Sequence, residues 1–262
     1  MKNDFKLDIP DTENYGCSSD KDSRVWNELS DLNEEFPHSF KHISSLFTVY
    51  TRRIHLIRFL AHYELFKLTT DIPGSIIDLG VYRGGSFFVW HKLLEIFNPT
   101  DTSKKVYGFE GFQGLSNFDE KDGDKLNNVG KSEMGWNSGS VEQEIMKLCE
   151  IHNMDNILAK TRSRIIKGDI FETLEPFLNE TPGLRISLLH FDVDLYSVTK
   201  YSLEKLYDLV VPGGVILFDE YALPPWEGET RAFDEFIKDR GLKVEIKKLP
   251  WSLTPNGYII KK

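Results

Sequence analysis

The 262-residue sequence has few cysteines, no long apolar run and no excess of positive charge. Its two cysteines, Cys17 and Cys149, match no metal-binding or redox motif, so we expect unpaired thiols in a reducing cytoplasm. A membrane-spanning helix needs roughly 18 consecutive apolar residues, and neither such a run nor a signal peptide is present. The net charge of -9 leaves no basic surplus to replace the counterions of a nucleic acid. These absences predict a cytoplasmic protein that binds neither membranes nor nucleic acids.

The composition that remains is that of a globular protein, with 40% hydrophobic and 28% charged residues. Residues 1–22 are polar, turn-rich and without periodicity, which predicts a flexible arm. Residues 23–70 carry apolar stripes at helical spacing, which predicts an N-terminal helical cap. Residues 71–262 combine short apolar runs with helical patterns, as expected of one α/β domain.

The chain has no dinucleotide-binding fingerprint, although a glycine-rich turn follows its first apolar run. In place of G-x-G-x-x-G, residues 78–86 read D-x-G-x-x-x-G-G-S, between a strand-like run and a helical pattern. Glycines let the backbone approach a ligand closely, and the first N–H groups of the following helix face that ligand. A turn this wide favours a ligand without a pyrophosphate, such as S-adenosylmethionine. The candidate residues of the turn are Asp78, Gly80, Gly84, Gly85 and Ser86.

Acidic residues also follow the next two strand-like runs. Glu110 comes directly after Lys105–Phe109, where a carboxylate can accept hydrogen bonds from both hydroxyls of a ribose. The alternative for Glu110 is a surface acid that only ends a strand. Gly168 and Asp169 follow Ser163–Lys167, and the Asp169 carboxylate would accept a hydrogen bond from an adenine amino group. Both positions therefore agree with a bound adenosyl group.

Four further acids mark the ends of the fourth and fifth strand-like runs: Asp192, Asp194, Asp219 and Glu220. The carboxyl ends of parallel strands share one edge of a sheet, so we expect these acids to converge. Clustered carboxylates repel one another unless a cation neutralises them or one of them holds a proton. Oxygen ligands suit a hard divalent ion, and Mg²⁺ is the best match. The alternative is that one or two of these acids only cap the helices that follow.

Two strand-like runs close the sequence, Lys243–Leu249 and Gly257–Lys262, with a turn between them. With the five earlier runs they predict seven strands, one of them reversed at the end. The predicted fold class is therefore α/β: a Rossmann-like class I methyltransferase with a seven-stranded, mostly parallel sheet and an N-terminal helical extension. Residues 116–140 are charged and glycine-rich, which predicts a solvated loop of the kind that forms a lid or a substrate loop.

These pieces together resemble the macrocin O-methyltransferase family, whose members methylate sugar hydroxyls of natural products with S-adenosylmethionine. The matching motifs run in family order from residue 74 to residue 236: Asp78–Ser86, Val106–Leu115, Gly168–Leu174, His190–Tyr196, Gly213–Tyr221 and Trp226–Phe236. The resemblance implies a homodimer, and Mg²⁺ held by Asp192, Asp219 and Glu220. It also implies that Asp192 lies beside the cofactor and takes the proton of the attacking hydroxyl. Glu110 and Glu220 stand where the family usually has Asp, so each side chain is longer by one methylene group.

Two other functions stay open at the level of sequence. A catechol-type methyltransferase would act on an aromatic diol, and the aromatic content of 13% does not separate it from a sugar methyltransferase. A catalytically silent scaffold of the same fold is disfavoured because all the acids of the sheet edge are retained. A nicotinamide-dependent oxidoreductase is disfavoured by the spacing of the glycines.

Overall fold

The structure is a computed structural model that describes residues 19–126, 130–158 and 160–262, with side chains described from residue 24. The predicted arm, residues 1–22, lies outside the described residues except for residues 19–22. The described chain divides into two compact units, one within residues 1–56 and 125–132, the other formed by Ile57–Asp124 and Glu133–Lys262. The division falls inside one helix, α4 (Arg53–Lys67).

Residues 19–56, the described N-terminal part of the smaller unit, are mainly helical: α1 (Ser19–Glu35), α2 (Phe40–Ser45) and α3 (Phe47–Tyr50) precede the first turn of α4. The Ser39 side chain accepts a hydrogen bond from the backbone N–H of His42 and so caps α2. Trp26 of α1 lies against the ring of His55, with the ring centroids 5.8 Å apart. The Arg52 guanidinium lies over the same indole at 5.1 Å. These contacts connect α1 to the start of α4 within this unit.

The larger unit is built around a six-stranded sheet. Its strands are β1 (Ser75–Leu79), β2 (Val106–Glu110), β3 (Ser163–Lys167), β4 (Ile186–Phe191), β5 (Val210–Phe218) and β6 (Gly257–Ile260). Their order is β3-β2-β1-β4-β5-β6; the first five are parallel, and β6 runs antiparallel to β5. The remaining helices are α5 (Gly85–Phe97), α6 (Glu142–Met154), α7 (Ile170–Glu180), α8 (Tyr196–Leu206) and α9 (Glu227–Asp239). The predicted α/β class with a mostly parallel sheet is confirmed.

The central strands are buried on both faces, which explains their nearly continuous apolar sequences. In β1, Ile76 and Ile77 point to opposite faces and belong to two separate core clusters. Leu188 and Leu189 of β4 divide in the same way. Residues of α7, α8 and α9 complete the cluster around Ile77, and residues of α4, α5 and α6 complete the cluster around Ile76. The sheet is therefore the middle layer of three.

The predicted count of seven strands is wrong, because the described residues form six. Residues Lys243–Leu249 make no strand; only Lys247 pairs with Tyr258, in an isolated antiparallel bridge whose two hydrogen bonds measure 2.8 and 2.9 Å. Charged residues at positions 243, 245, 247 and 248 leave the segment little apolar surface to bury. The segment thus lies beside β6 without extending the ladder.

The strand order reverses between β1 and β4, because β2 and β3 lie on one side of this pair while β5 and β6 lie on the other. Ligands of open α/β sheets bind at such a switch point, beyond the carboxyl ends of the strands. The backbone N–H of Asp192 donates to the Leu79 carbonyl at 3.0 Å, so the two strands stay paired to their ends. Among the described helices, none combines the length and apolarity needed to cross a bilayer.

Candidate active site

The glycine turn after β1 has three residues in the left-handed region: Gly80 and Gly84, each with a φ of 87°, and Tyr82, with a φ of 49°. A Cβ at Gly80 would lie 1.9 Å from the backbone carbonyl oxygen of Asp192, so only glycine allows the end of β1 to approach β4 this closely. Gly85 begins α5, and a Cβ there would meet no atom within 4 Å. No side chain caps the start of α5, so the first N–H groups of this helix are available to a ligand.

Asp78 and Ser86, both predicted to contact the cofactor, lie beneath this turn. The Asp78 carboxylate is fully buried and accepts hydrogen bonds from the Ser86 hydroxyl at 2.9 Å and from the Trp90 indole N–H at 3.3 Å. These bonds join the last part of β1 to the first two turns of α5. The structure therefore places Asp78 and Ser86 where they hold the turn in shape from below.

Glu110 at the end of β2 joins the glycine turn to the loop after β2. Its carboxylate accepts hydrogen bonds from the backbone N–H groups of Tyr82 at 2.6 Å and Phe112 at 2.7 Å. Burial raises the pKa of Glu110, and these two backbone donors oppose the shift. Each carboxylate oxygen has a second lone pair, so the group can still accept hydrogen bonds from a ribose.

Gly168 and Asp169 follow β3, next to Glu110. The backbone N–H of Gly168 donates to the Glu110 carbonyl at 3.0 Å, and Gly168 has a φ of 129°. The exposed Asp169 side chain accepts a hydrogen bond from the backbone N–H of Phe171 at 2.9 Å, which makes it the N-cap of α7. Asp169 thus has a structural partner in addition to the ligand contact that the sequence predicted.

A buried histidine connects the turn to the acidic edge, by which we mean the edge of the sheet that carries Asp192, Asp194, Asp219 and Glu220. His190 of β4 hydrogen-bonds Asp78 through Nδ1 and Asp219 through Nε2, the latter at 3.1 Å, and all three side chains are fully buried. Burial disfavours a charged imidazole, but the two carboxylates outweigh this effect and raise the pKa of His190 to about 10. The two carboxyl groups of Asp78 and Asp219 therefore favour the protonated form of His190.

Arg58 of α4 binds both Asp192 and Asp219. Its Nη2 donates to Asp192 Oδ2 at 2.6 Å, and its Nη1 lies 2.5 Å from Asp219 Oδ2 and 2.8 Å from the Thr254 hydroxyl. Burial raises the pKa of Asp219, but Arg58 and His190 more than offset this and hold it below its usual range. Burial and the neighbouring Asp219 raise the pKa of Asp192 to about 7, against the opposing effect of Arg58.

A second group of acids lies at the same edge. One carboxylate oxygen of each of Asp192, Asp194 and Glu220 lies within 4.8 Å of the others. Glu220 is 6% exposed, and its Oε2 has no hydrogen-bond partner. Burial, followed by the charge of Asp194, raises the pKa of Glu220 well above its usual range. An unpartnered, buried carboxylate oxygen beside two further carboxylates fits a hard divalent cation.

The three predicted metal ligands, Asp192, Asp219 and Glu220, therefore do not all lie in one cluster. Asp192 and Glu220 lie together with Asp194, whereas Asp219 Oδ1 is hydrogen-bonded to His190 and Asp219 Oδ2 forms an ion pair with Arg58 Nη1 at 2.5 Å. Glu229, a fully buried residue in the first turn of α9, accepts the backbone N–H of Glu220 at 2.9 Å.

Sequence reasoning missed several of these residues. Arg58, His190 and Glu229 had no role assigned to them. His190 and Glu229 lie within two of the matching motifs, His190–Tyr196 and Trp226–Phe236, and this was the signal available for them. For Arg58 the signal was the mixture of basic residues with an apolar helical stripe in α4, which does not say which groups each side chain contacts. His62, also on α4, is buried against Trp90, with ring centroids 4.5 Å apart, and its Nε2 has no hydrogen-bond partner.

The beginning of the loop at residues 116–140 is fixed to the same region. The Asp122 carboxylate is fully buried and accepts hydrogen bonds from the backbone N–H of Tyr196, at the start of α8, and of Asp119, both at 2.7 Å. Lys121 bonds the Tyr196 hydroxyl and Glu235, both at 2.8 Å. Asp122 is therefore a structural tether and not an exposed acid of a solvated loop.

A family model described as macrocin-O-methyltransferase (TylF) matches residues 52–254. A tetracenomycin-C derivative 4'-O-methyltransferase of Streptomyces olivaceus, whose substrate carries a dimethoxy-rhamnosyl group, is 26% identical over 60% of this chain. That match spans 56% of the relative's own length. Mycinamicin III 3''-O-methyltransferase of Micromonospora griseorubida is 22% identical over 72% of this chain and 70% of its own.

Solved structures show the same fold. The calicheamicin methyltransferase CalS11 superposes with a TM-score of 0.85 at 22% identity, over 95% of this chain and 96% of its own. The O-methyltransferase NovP superposes with a TM-score of 0.60 at 22% identity, over 79% of this chain and 80% of its own.

Proposed function

The chain belongs to the macrocin-O-methyltransferase family, as its motifs predicted, and from this premise we propose that it methylates a sugar hydroxyl with S-adenosylmethionine. The family match extends over both the glycine turn and the acidic edge. The curated relatives described above are named as O-methyltransferases, and the name of the first places a rhamnosyl group on its substrate. The proposed acceptor is a nucleotide sugar, a glycan or a glycosylated natural product.

The observation that carries the proposal is the contact between the glycine turn and the acidic edge. Gly80 touches the backbone of Asp192, so the proposed cofactor site and the proposed acceptor site adjoin at the β1/β4 switch point. Bound S-adenosylmethionine supplies an electrophilic methyl group. The open side of the turn at Gly85 and the free lone pairs of Glu110 would hold its adenosyl group, with Gly168 and Asp169 next to them.

Divalent-metal dependence is part of the proposal. Asp192, Asp219 and Glu220 would hold Mg²⁺, and the position of Asp194 adds it to the candidates. Bound Mg²⁺ lowers the pKa of an acceptor hydroxyl and stabilises negative charge on its oxygen. Asp192, one quarter exposed at the edge, is the group that accepts the hydroxyl proton, while the backbone contact at Gly80 fixes its position.

The test measures methyl transfer from S-adenosylmethionine to a panel of nucleotide sugars, glycosylated natural products and catechols, with and without EDTA. We expect turnover on a sugar acceptor that EDTA abolishes. Asp192→Asn should lower turnover roughly 10²-fold or more, since a general base contributes about that much, while cofactor affinity is retained. Asp208→Asn, the same change at an exposed residue paired with Arg240, is the matched control.

Turnover of catechols but not of sugars would mean that the acceptor is an aromatic diol and not a sugar. Full activity of Asp192→Asn would mean that Asp192 is not the base. The homodimer implied by the family resemblance also stays a proposal. If the protein is a homodimer, light scattering should report about twice the chain mass of 30.3 kDa.

A further inference from the structure

Arg58 is the cation of the acidic edge in this structure. Its guanidinium spans the acids that follow two neighbouring strands, with Nη2 on Asp192 after β4 and Nη1 on Asp219 after β5. The Thr254 hydroxyl accepts a further hydrogen bond from Nη1 at 2.8 Å. A rigid, planar fork of this kind holds two carboxylates at a fixed separation.

The local charge shows why a cation is needed at this place. Three carboxyl groups meet here: Asp78 and Asp219 are fully buried, Asp192 is one quarter exposed, and His190 contacts Asp78 and Asp219. Arg58 adds a second positive charge, in contact with Asp192 and Asp219. A divalent ion bound to the same carboxylates would supply it as well, so the two cations have the same electrostatic role.

The contacts of the individual carboxylate oxygens show that Arg58 is paired with two of the predicted metal ligands. Asp219 Oδ1 is hydrogen-bonded to His190, and Asp219 Oδ2 lies 2.5 Å from Arg58 Nη1 in an ion pair, although it accepts no hydrogen bond. Glu220 Oε2 also has no hydrogen-bond partner. Of the three predicted ligands, Asp192 and Asp219 therefore have Arg58 as an ion-pair partner.

We propose that Arg58 competes with the divalent ion for the same carboxylates. The ion coordinates Asp219, and coordinates Asp192 fully, only when the Arg58 guanidinium dissociates from them. The inference rests on the proposed metal dependence. Arg58 is a positioning residue in this scheme, because it fixes Asp192 and Asp219 before the ion arrives and sets how tightly the ion binds.

The experiment measures Mn²⁺ binding by isothermal titration calorimetry to the full chain after EDTA dialysis. Arg58→Met removes the competing charge and keeps an apolar stem of similar length. We expect its affinity for Mn²⁺ to rise on the order of tenfold, because a unit charge within a few ångströms of the ion is removed. A residue that only supports the fold would give the opposite sign, a weaker site.

Two further variants make the outcome decisive. Arg58→Lys keeps one charge but cannot bridge both acids, so we expect an affinity between those of wild type and Arg58→Met. Arg164→Met, which removes an exposed arginine paired with Glu180, should bind Mn²⁺ as the wild type does. If Arg58→Met does not fold, a severalfold gain in Arg58→Lys supports the proposal, and unchanged affinity in Arg58→Lys overturns it.

A second readout is the melting temperature with and without Mn²⁺. Arg58→Met removes the guanidinium from Asp192 and Asp219, so we expect the variant to melt at a lower temperature than wild type after EDTA treatment and to gain more stability from Mn²⁺. Equal or weaker Mn²⁺ binding by Arg58→Met overturns the competition but leaves the metal site standing. No Mn²⁺ binding by wild type or by either Arg58 variant overturns both the competition and the proposed metal dependence.

Discussion

Replacing Gly80 with alanine tests whether the contact between the glycine turn and β4 is a condition of the fold. Gly80 has a φ of 87°, and a Cβ built there lies 1.9 Å from the backbone carbonyl oxygen of Asp192. Carbon and oxygen cannot approach so closely, so the alanine variant has to move the turn or the end of β4. The atom that is struck belongs to the backbone, so no change of side-chain rotamer relieves the clash.

The expected loss of stability follows from three terms. A left-handed conformation costs a residue with a Cβ about 1–2 kcal/mol. Extra atoms in a close-packed region cost about 1–3 kcal/mol. Alanine recovers about 0.4–1 kcal/mol because it restricts the unfolded chain. We therefore expect Gly80→Ala to lower the free energy of unfolding by about 1–5 kcal/mol, with a central value of about 3 kcal/mol.

Gly241→Ala is the matched control, because Gly241 has a φ of 60° and a Cβ there meets no atom within 4 Å. Only the conformational terms apply to it, so we expect a loss of about 1 kcal/mol or less. Urea unfolding followed by circular dichroism measures both variants under the same conditions. Equal losses in the two variants would refute the argument that the contact with Asp192 is the main cost.

Two more substitutions test the cofactor side and the loop. Gly85→Ala should change the free energy of unfolding by less than about 0.5 kcal/mol, because its Cβ position is open. The same variant should bind S-adenosylmethionine several-fold more weakly by calorimetry, and unchanged affinity would contradict a cofactor at this turn. Asp122→Ala leaves two backbone N–H groups without their acceptor, which should cost about 1–3 kcal/mol in urea unfolding and speed proteolysis before residue 124. Asp124→Ala, at an exposed neighbour, should leave both measurements unchanged.

Much of the fold follows from patterns within short windows of sequence. The strand-like run Ser163–Lys167 coincides with β3. β1 and β4 are buried on both faces and have the nearly continuous apolar sequences that such strands need. The prediction failed for Lys243–Leu249, where β-branched and apolar residues alternate with charges. A strand forms only where a neighbour provides a continuous ladder, and this segment meets β6 at one position.

The acids of the candidate site show a similar division. Their convergence could be predicted from the sequence, because the carboxyl ends of parallel strands share one edge of the sheet. Their hydrogen-bond partners could not be predicted. Asp78 turned out to support the turn from beneath, and Asp169 caps α7. Such roles depend on which groups a side chain meets in space, and an acid at a strand end has the same sequence signature in each case.

By itself, then, the sequence determined the alternation of strands and helices, the width of the glycine turn and the presence of acids along one edge of the sheet. These properties depend on neighbouring residues and on the regular geometry of strands and helices. Only the tertiary structure decided that Arg58 bridges Asp192 and Asp219, and that His190 connects Asp219 to Asp78. Arg58 and Asp192 are 134 positions apart in the chain, and no local pattern encodes a contact made by the packing of a helix against the end of a sheet.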